Sequence, residues 1–132
     1  MTADAPGLMV VGHGSRRAEA NSALRTAADC LAALPAEGRV PWRAVRHAFL
    51  ELSEPGIEDA YGQLAAAGCK TIVVSLFFLF PGAHTMTDIP AQLDRAARGH
   101  PGTRWFITEP LGLHPAVLEA ARDRIAAAQP PA

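Results

Sequence analysis

Apolar residues along this chain alternate between short continuous runs and longer segments with helical spacing. The short runs predict four strands, at residues 8–11, 40–50, 71–80 and 104–108. The helical spacing predicts four helices, at residues 16–34, 53–67, 87–98 and 115–127. Strands that alternate with helices in this way favour a parallel sheet covered on both faces. The expected fold is a three-layer α/β sandwich of flavodoxin-like type, with strand order 2-1-3-4.

Several local features refine these elements. The third apolar run is nearly unbroken up to Phe80, which predicts a strand covered on both faces. Ser15 and Ser53 are predicted to cap the first two helices, with Pro55 in the first turn of the second. Pro90 is expected near the start of the third helix, where a proline is tolerated. Residues 35–38 are predicted to end the first helix.

Composition narrows the class of protein. The 132 residues predict one domain over 1–132, with its core at about 8–127. The formal net charge of −1 argues against a nucleic-acid partner. Cys30 and Cys69 lack metal-site spacing and are predicted to be ordinary buried thiols. No signal peptide is visible and the longest apolar run is too short to cross a bilayer, so we expect a cytoplasmic protein without a membrane partner.

The turn Gly12-His13-Gly14-Ser15 follows the first strand directly and precedes a helix. In open α/β sheets ligands bind at this kind of place, outside the carboxyl ends of the strands. The simpler interpretation is a strand-to-helix turn that carries a structural histidine. Arg16 and Arg17 follow in the first helical turn, where cations oppose the helix dipole. They are either solvated or attract an anion to the turn.

Three polar residues follow three predicted strands: His13 after the first, Glu51 after the second and His84 after the third. With strand order 2-1-3-4, all three should meet at the carboxyl edge of the sheet. Two imidazoles and a carboxylate suit a divalent transition metal with open positions. Taken singly, Glu51 could instead be a solvated strand-end carboxylate or part of the next helix cap. His84 could simply belong to a Pro-Gly loop.

These motifs resemble one family. The chain is similar to the small class II chelatases, the sirohydrochlorin cobaltochelatases and the related siroheme ferrochelatases, over about residues 8–125. The matching stretches are Gly12-His13-Gly14-Ser15, Phe49-Leu50-Glu51 with Pro55, Phe78-Leu79-Phe80-Pro81-Gly82-Ala83-His84 with Asp88-Ile89-Pro90, and Pro110-Leu111-Gly112-Leu113-His114-Pro115. The four stretches occur in the family's order, so together they are more specific than any one of them.

The resemblance implies a chelatase-like fold and the insertion of a divalent metal into sirohydrochlorin, on the way to cobalamin or siroheme. It implies that His13, His84 and Glu51 bind the metal and accept the pyrrole protons. Co²⁺ is the first choice from the resemblance, with Fe²⁺ and Ni²⁺ as alternatives. The metal would be a substrate, and no organic cofactor is expected. The chain resembles the short form of the family, which pairs into a homodimer.

Residues predicted to contact the tetrapyrrole surround these three: Gly14, Ser15, Arg16, Arg17, Phe78, Thr85 and Met86. Gly12 and Gly14 are expected to leave room for a flat macrocycle to approach the backbone. Many members of the family carry a basic residue beside the second histidine, where this chain has Ala83 and Thr85. Two other interpretations stay open: a non-catalytic metal or tetrapyrrole carrier on the same fold, and a phosphate-binding domain. The phosphate-binding interpretation ranks lower, because the sequence has no Walker lysine after its glycine turn.

Overall fold

Strands and helices alternate along the chain in the computed structural model, which describes residues 4–34 and 41–131. The elements are β1 (Gly7–Gly12), α1 (Ala18–Ala33), β2 (Ala44–Phe49), α2 (Ile57–Ala66), β3 (Thr71–Leu76), α3 (Ala83–Gly99), β4 (Arg104–Ile107) and α4 (Pro115–Ala128). The strands form one sheet in the order β2-β1-β3-β4. This confirms the predicted α/β class and the predicted strand order.

The register of the sheet aligns the carboxyl ends of three strands. All pairs are parallel, with Gly12 of β1 opposite Phe49 of β2, and Val11 opposite Leu76 of β3. β1 lies between β2 and β3, and each of its six residues is buried. The loops that follow these strands therefore emerge side by side at the carboxyl edge of the sheet.

Side-chain alternation divides the core between the two faces of the sheet. One face carries Met9, Val11 and the buried residues of β3, which pack with α2 and α3. The apolar stripe of α2 faces this core, and all four of its residues are buried: Ile57, Ala60, Tyr61 and Leu64. The other face carries Leu8, Val10 and Phe49, which pack with Leu24 and Ala28 of α1.

Helix α4 is the exception to this packing. None of its residues is buried, and Leu118 and Ile125 are 52% and 61% exposed. Phe106 of β4 is 53% exposed as well, since its neighbours Trp105 and Ile107 are the ones that pack against the α2–α3 core. In the described chain, no helix therefore covers β4 on the face of the sheet that carries α1.

The expectation for β3 was wrong in two respects. The strand ends at Leu76 rather than Phe80, and its residues alternate between half-buried and buried positions. Its neighbours β1 and β4 end at Gly12 and Ile107, so a longer strand would have no partners. β1 is the strand that is covered along its whole length.

The third helix begins earlier than expected. α3 starts at Ala83 instead of residue 87, so Pro90 lies in its interior rather than near its start. His84, predicted to lie in a loop, is in the first turn of this helix. Its backbone is therefore held by helical hydrogen bonding.

The predicted caps were also wrong. The N-cap of α1 is Arg17. Ser15 lies before it, and the Oγ of Ser15 accepts a hydrogen bond from Arg17 N at 3.0 Å. The N-cap of α2 is Gly56, not Ser53. Neither cap residue uses its side chain.

Cys30 is exposed, contrary to expectation, whereas Cys69 is buried as expected. The predicted break at residues 35–38 lies outside the described residues, as does residue 40. The second strand begins at Ala44, later than predicted, and ends at Phe49. Among the described helices, none combines the length and hydropathy needed to cross a bilayer.

Candidate active site at the carboxyl edge

Backbone hydrogen bonds continue between the loops after the strands have ended. The donor and acceptor pairs are Leu50 N to Gly12 O (3.0 Å), Glu51 N to His13 O (3.1 Å), Phe77 N to Val11 O (2.8 Å) and Leu111 N to Phe78 O (3.0 Å). The first two bonds join the loop after β2 to the end of β1 and to the loop that follows it. The third joins the start of the loop after β3 to β1, and the fourth joins the loop after β4 to the loop after β3. The carboxyl edge is therefore a set of mutually supported loops.

The two glycines of the first turn make room for the protein itself. Gly14 has φ +95°, and a Cβ there would collide with the carbonyl oxygen of Glu51. A Cβ on Gly12 would lie 2.9 Å from a methyl carbon of Leu24 in α1. Both glycines also line a cavity beside His13. The expectation that they leave room for a macrocycle stays a prediction.

His13 is exposed and rests on a buried aromatic ring. Its imidazole centroid lies 4.8 Å from that of Phe78, with the two planes 39° apart. Phe78 is only 8% exposed and belongs to the α2–α3 core. The predicted ligand-contacting residue Phe78 is thus placed where it supports the imidazole from below.

Asn21 holds the turn that carries His13, and the sequence analysis missed it. Its Oδ1 accepts from Ser15 N at 3.0 Å and its Nδ2 donates to Ser15 O at 2.8 Å. An asparagine inside a predicted helix was the available signal, since this residue tends to hydrogen-bond nearby backbone. Arg16 and Arg17 are exposed beside this turn. Arg17 lies 3.8 Å from Glu19, an exposed pair that contributes little to stability.

The three predicted metal ligands share the carboxyl edge without forming a preassembled cage. His13, Glu51 and His84 are all exposed, and Glu51 is joined to His13 through the backbone. Within residues 4–34 and 41–131, no three His, Cys, Asp or Glu side chains lie close enough together to hold a metal ion. Thr85 and Met86 are half-buried beside His84, and Met86 packs against the core.

Large apolar side chains are exposed in the loops of this edge. We call them the apolar rim: Leu52, Phe77, Leu79, Phe80 and Leu113, with exposed fractions of 57%, 36%, 44%, 69% and 69%. Leu52 follows β2, Leu113 follows β4, and the other three follow β3. The sequence analysis missed Leu52, Leu79 and Leu113, because apolar residues were assigned to the core by default.

A cavity of about 300 Å³ opens beside His13. It lies between the turn at residues 12–15, the start of α1 including Asn21, and the rings of Phe49 and Phe77. This volume is at the lower end of pockets that take small molecules. A larger ligand would lie across the edge and place only a substituent here.

These features define a parallel α/β protein with a candidate site at its topological switch point, where the chain leaves β1 for β2 on one side and β3 lies on the other. Comparison with protein-family models gives the family: the CbiX model matches residues 7–128. The chain belongs to the CbiX family.

Relatives and solved structures agree with this assignment. The chain is 41% identical over 122 residues to the chloroplastic sirohydrochlorin ferrochelatase of Arabidopsis thaliana, covering 92% of this chain and 52% of that protein. It is 34% identical to the sirohydrochlorin cobaltochelatase of Methanothermobacter thermautotrophicus, with 92% of both chains covered. The sirohydrochlorin chelatase SirB of Bacillus subtilis subspecies spizizenii, solved in complex with cobalt, matches with a TM-score of 0.80 and 30% identity over 94% of this chain and 51% of that chain. The chain thus spans about half the length of two of these proteins and nearly all of the third.

Proposed function

We propose that this protein inserts a divalent metal ion into sirohydrochlorin. The observation that carries the proposal is the carboxyl edge, where the exposed side chains of His13, Glu51 and His84 are accompanied by the apolar rim. The side chains offer metal ligands and proton acceptors, and the rim offers apolar surface for a macrocycle. Relatives named as sirohydrochlorin chelatases support the same substrate.

Two protons leave the macrocycle when a divalent ion enters it. In the proposed reaction the imidazoles of His13 and His84 hold the ion loosely, and Glu51 completes the set. Neutral imidazole also accepts a proton near pH 7, so the same groups can take the pyrrole protons as the metal–nitrogen bonds form. Three separate exposed side chains suit this role, because the ion must leave the protein for the ring.

The substituents of the ring are expected to meet the polar residues around His13. Sirohydrochlorin carries eight carboxylates, which the Arg16 and Arg17 side chains can pair with. Gly14, Ser15 and the amides near the start of α1 offer further donors. Thr85 and Met86 stand beside His84 in the first turn of α3, and the apolar rim covers the ring face between that turn and the turn at His13.

Co²⁺ is our first choice of metal, with Fe²⁺ and Ni²⁺ as competitors. The relatives support both of the first two, since one is named for iron and another for cobalt. Imidazole and carboxylate accept all three ions, so metal availability contributes as much as the site.

The test is an anaerobic insertion assay that follows the absorption change of sirohydrochlorin with each of the three ions. The wild-type protein should accelerate insertion over the protein-free rate, and His13→Ala and His84→Ala should each lower kcat by about a hundredfold or more. His100→Ala is the matched control, because His100 lies past the end of α3, at the opposite edge of the sheet.

No acceleration with any ion would refute the chelatase proposal. Tight binding of metal or tetrapyrrole without acceleration would identify a carrier on the same fold. Full activity in both histidine variants would show that the metal site lies elsewhere.

We also propose that two copies pair through the surface left open beside α4. Leu118, Ile125 and Phe106 are exposed on this side of the described chain, and a helix and a sheet face without partners can cover each other across two copies. One relative is about as long as this chain and another is about twice as long. A chain of double length could hold two such domains, which would pair as two copies of this chain do. Light scattering should give a dimer for the wild type and a monomer for Leu118→Glu combined with Ile125→Glu. A wild-type monomer would refute the pairing.

The cytoplasm is the proposed compartment. Both cysteines are free in the structure, with Cys30 exposed and Cys69 buried, as is usual in reducing compartments.

A further inference from the structure

Leu52 has an unusual backbone conformation. Its φ is +66°, and within the described chain it is the one residue other than glycine with a positive φ. A side chain with a Cβ is strained in this left-handed region, and leucine has no polar group that could hydrogen-bond locally to offset the strain. Glycine would adopt the same backbone without a steric penalty.

The surrounding backbone holds Leu52 in this conformation from both sides. On its amino-terminal side, Glu51 N donates to His13 O at 3.1 Å, and the Glu51 carbonyl packs against Gly14. On its carboxyl side, the loop is closed by a hydrogen bond from Phe49 N to Pro55 O at 2.9 Å. A strained residue persists where its neighbours determine its conformation, and such residues concentrate at functional sites.

The strain at Leu52 gives no benefit to the fold. Its side chain is 57% exposed, so little apolar surface is buried in return. The loop that carries it is joined through Glu51 to the backbone of His13, and the other exposed apolar residues of this edge form the rim with it.

We propose that Leu52 is a substrate-contacting residue that packs its side chain against the apolar face of the tetrapyrrole. This proposal rests on the proposed function. It assigns to the loop after β2 a role in binding the macrocycle that is separate from the metal and proton chemistry of Glu51 beside it.

The experiment compares three variants of the full chain. Leu52→Gly and Leu52→Asn both suit a positive φ and remove the apolar contact, whereas Leu52→Met keeps an apolar side chain. Kd for sirohydrochlorin without metal is measured by quenching of tryptophan fluorescence, and KM and kcat by the insertion assay. Leu34→Asn is the control, since Leu34 is 63% exposed at the end of α1, on the opposite edge of the sheet.

Leu52→Gly and Leu52→Asn should raise Kd and KM about tenfold, as expected for losing burial of roughly half a leucine, and change kcat by less than about twofold. Leu52→Met should bind like the wild type. Leu52→Gly should also raise the unfolding temperature by a few degrees, because the relief of strain outweighs the added freedom of the unfolded chain. Binding and stability then move in opposite directions, which a purely structural role would not produce.

Unchanged Kd and KM in both the Gly and Asn variants of an active protein would overturn the role of Leu52 and leave the chelatase proposal standing. Conversion of either variant to a monomer would also overturn it, by showing that Leu52 is a subunit contact. A wild-type protein that neither binds nor metallates sirohydrochlorin overturns both proposals together.

Discussion

The carboxyl edge of the sheet carries the strand-to-helix loops and the amino-terminal edge the helix-to-strand loops, and the two sets differ in what they expose. The carboxyl edge carries His13, Glu51 and His84 together with the five residues of the apolar rim. At the described part of the amino-terminal edge, Leu34 is the large apolar residue that is exposed. There Thr103 instead receives a hydrogen bond from the Tyr61 hydroxyl at 2.8 Å. Of the two sets of loops, the one at the carboxyl edge therefore exposes more large apolar side chains, which is the pattern of a binding surface.

Glycines with positive φ show the same difference between the edges. Gly14, at the carboxyl edge, has φ +95°, and Gly102, at the amino-terminal edge, has φ +87°. A Cβ on Gly102 would meet nothing within 4 Å, whereas one on Gly14 would collide with the Glu51 carbonyl. Gly102 is thus needed only for the left-handed backbone of its own turn. Gly14 also allows two loops of the candidate site to pack together.

The largest expected effect comes from exchanging these glycines for alanine. Gly102→Ala should cost about 1–2 kcal/mol of unfolding free energy, for the left-handed backbone alone, and leave insertion per folded molecule unchanged. Gly14→Ala carries the same strain and also displaces the loop that joins His13 to Glu51. A displacement of about 1 Å in a catalytic group can cost on the order of a hundredfold in rate, so we expect a loss of that size.

Urea unfolding and the insertion assay on both variants provide the check. Equal losses of activity in the two variants would remove the distinction between the edges. Normal activity in Gly14→Ala would show that the contact between its loop and Glu51 is not needed for function.

The body of the sheet was more predictable from the sequence than its carboxyl edge. Apolar spacing predicted four strands alternating with four helices, and the rules for connecting parallel strands predicted their order, which was confirmed. The same logic failed where apolar residues are not buried. Phe77 and Phe80 continued the apolar run of β3, which extended the predicted strand beyond its true end at Leu76.

Positions within the loops depend on contacts that a single sequence does not display. His13, Glu51 and His84 were correctly assigned to one edge, because parallel strands bring their carboxyl ends together. The paired hydrogen bonds of Asn21 to Ser15 and the strained backbone of Leu52 have no periodic signature. They arise when loops distant in sequence pack against each other.

Histidines extend the comparison from the edges to the body of the sheet. His13 and His84 are exposed at the carboxyl edge, where we assign them to chemistry. His47 is half-buried in the middle of β2, opposite Val10, with its ring edge-on to Phe49 at 5.5 Å. Burial lowers the pKa of His47 below its usual 6.5, the charge of Arg25 lowers it further, and Asp29 opposes the shift.

The smallest expected effect is a pH dependence of stability that belongs to His47. Because its pKa is lower in the folded protein than in the unfolded chain, the unfolded chain binds a proton first as the pH falls below 6.5. The stability contributed by neutral His47 is complete above that pH and decreases as the pH falls towards the folded pKa. The midpoint of urea unfolding, measured at pH 7.5 and at pH 5.5, should therefore fall less in His47→Gln than in the wild type. An equal fall in His47→Gln and in the wild type would show that this pH dependence does not come from His47.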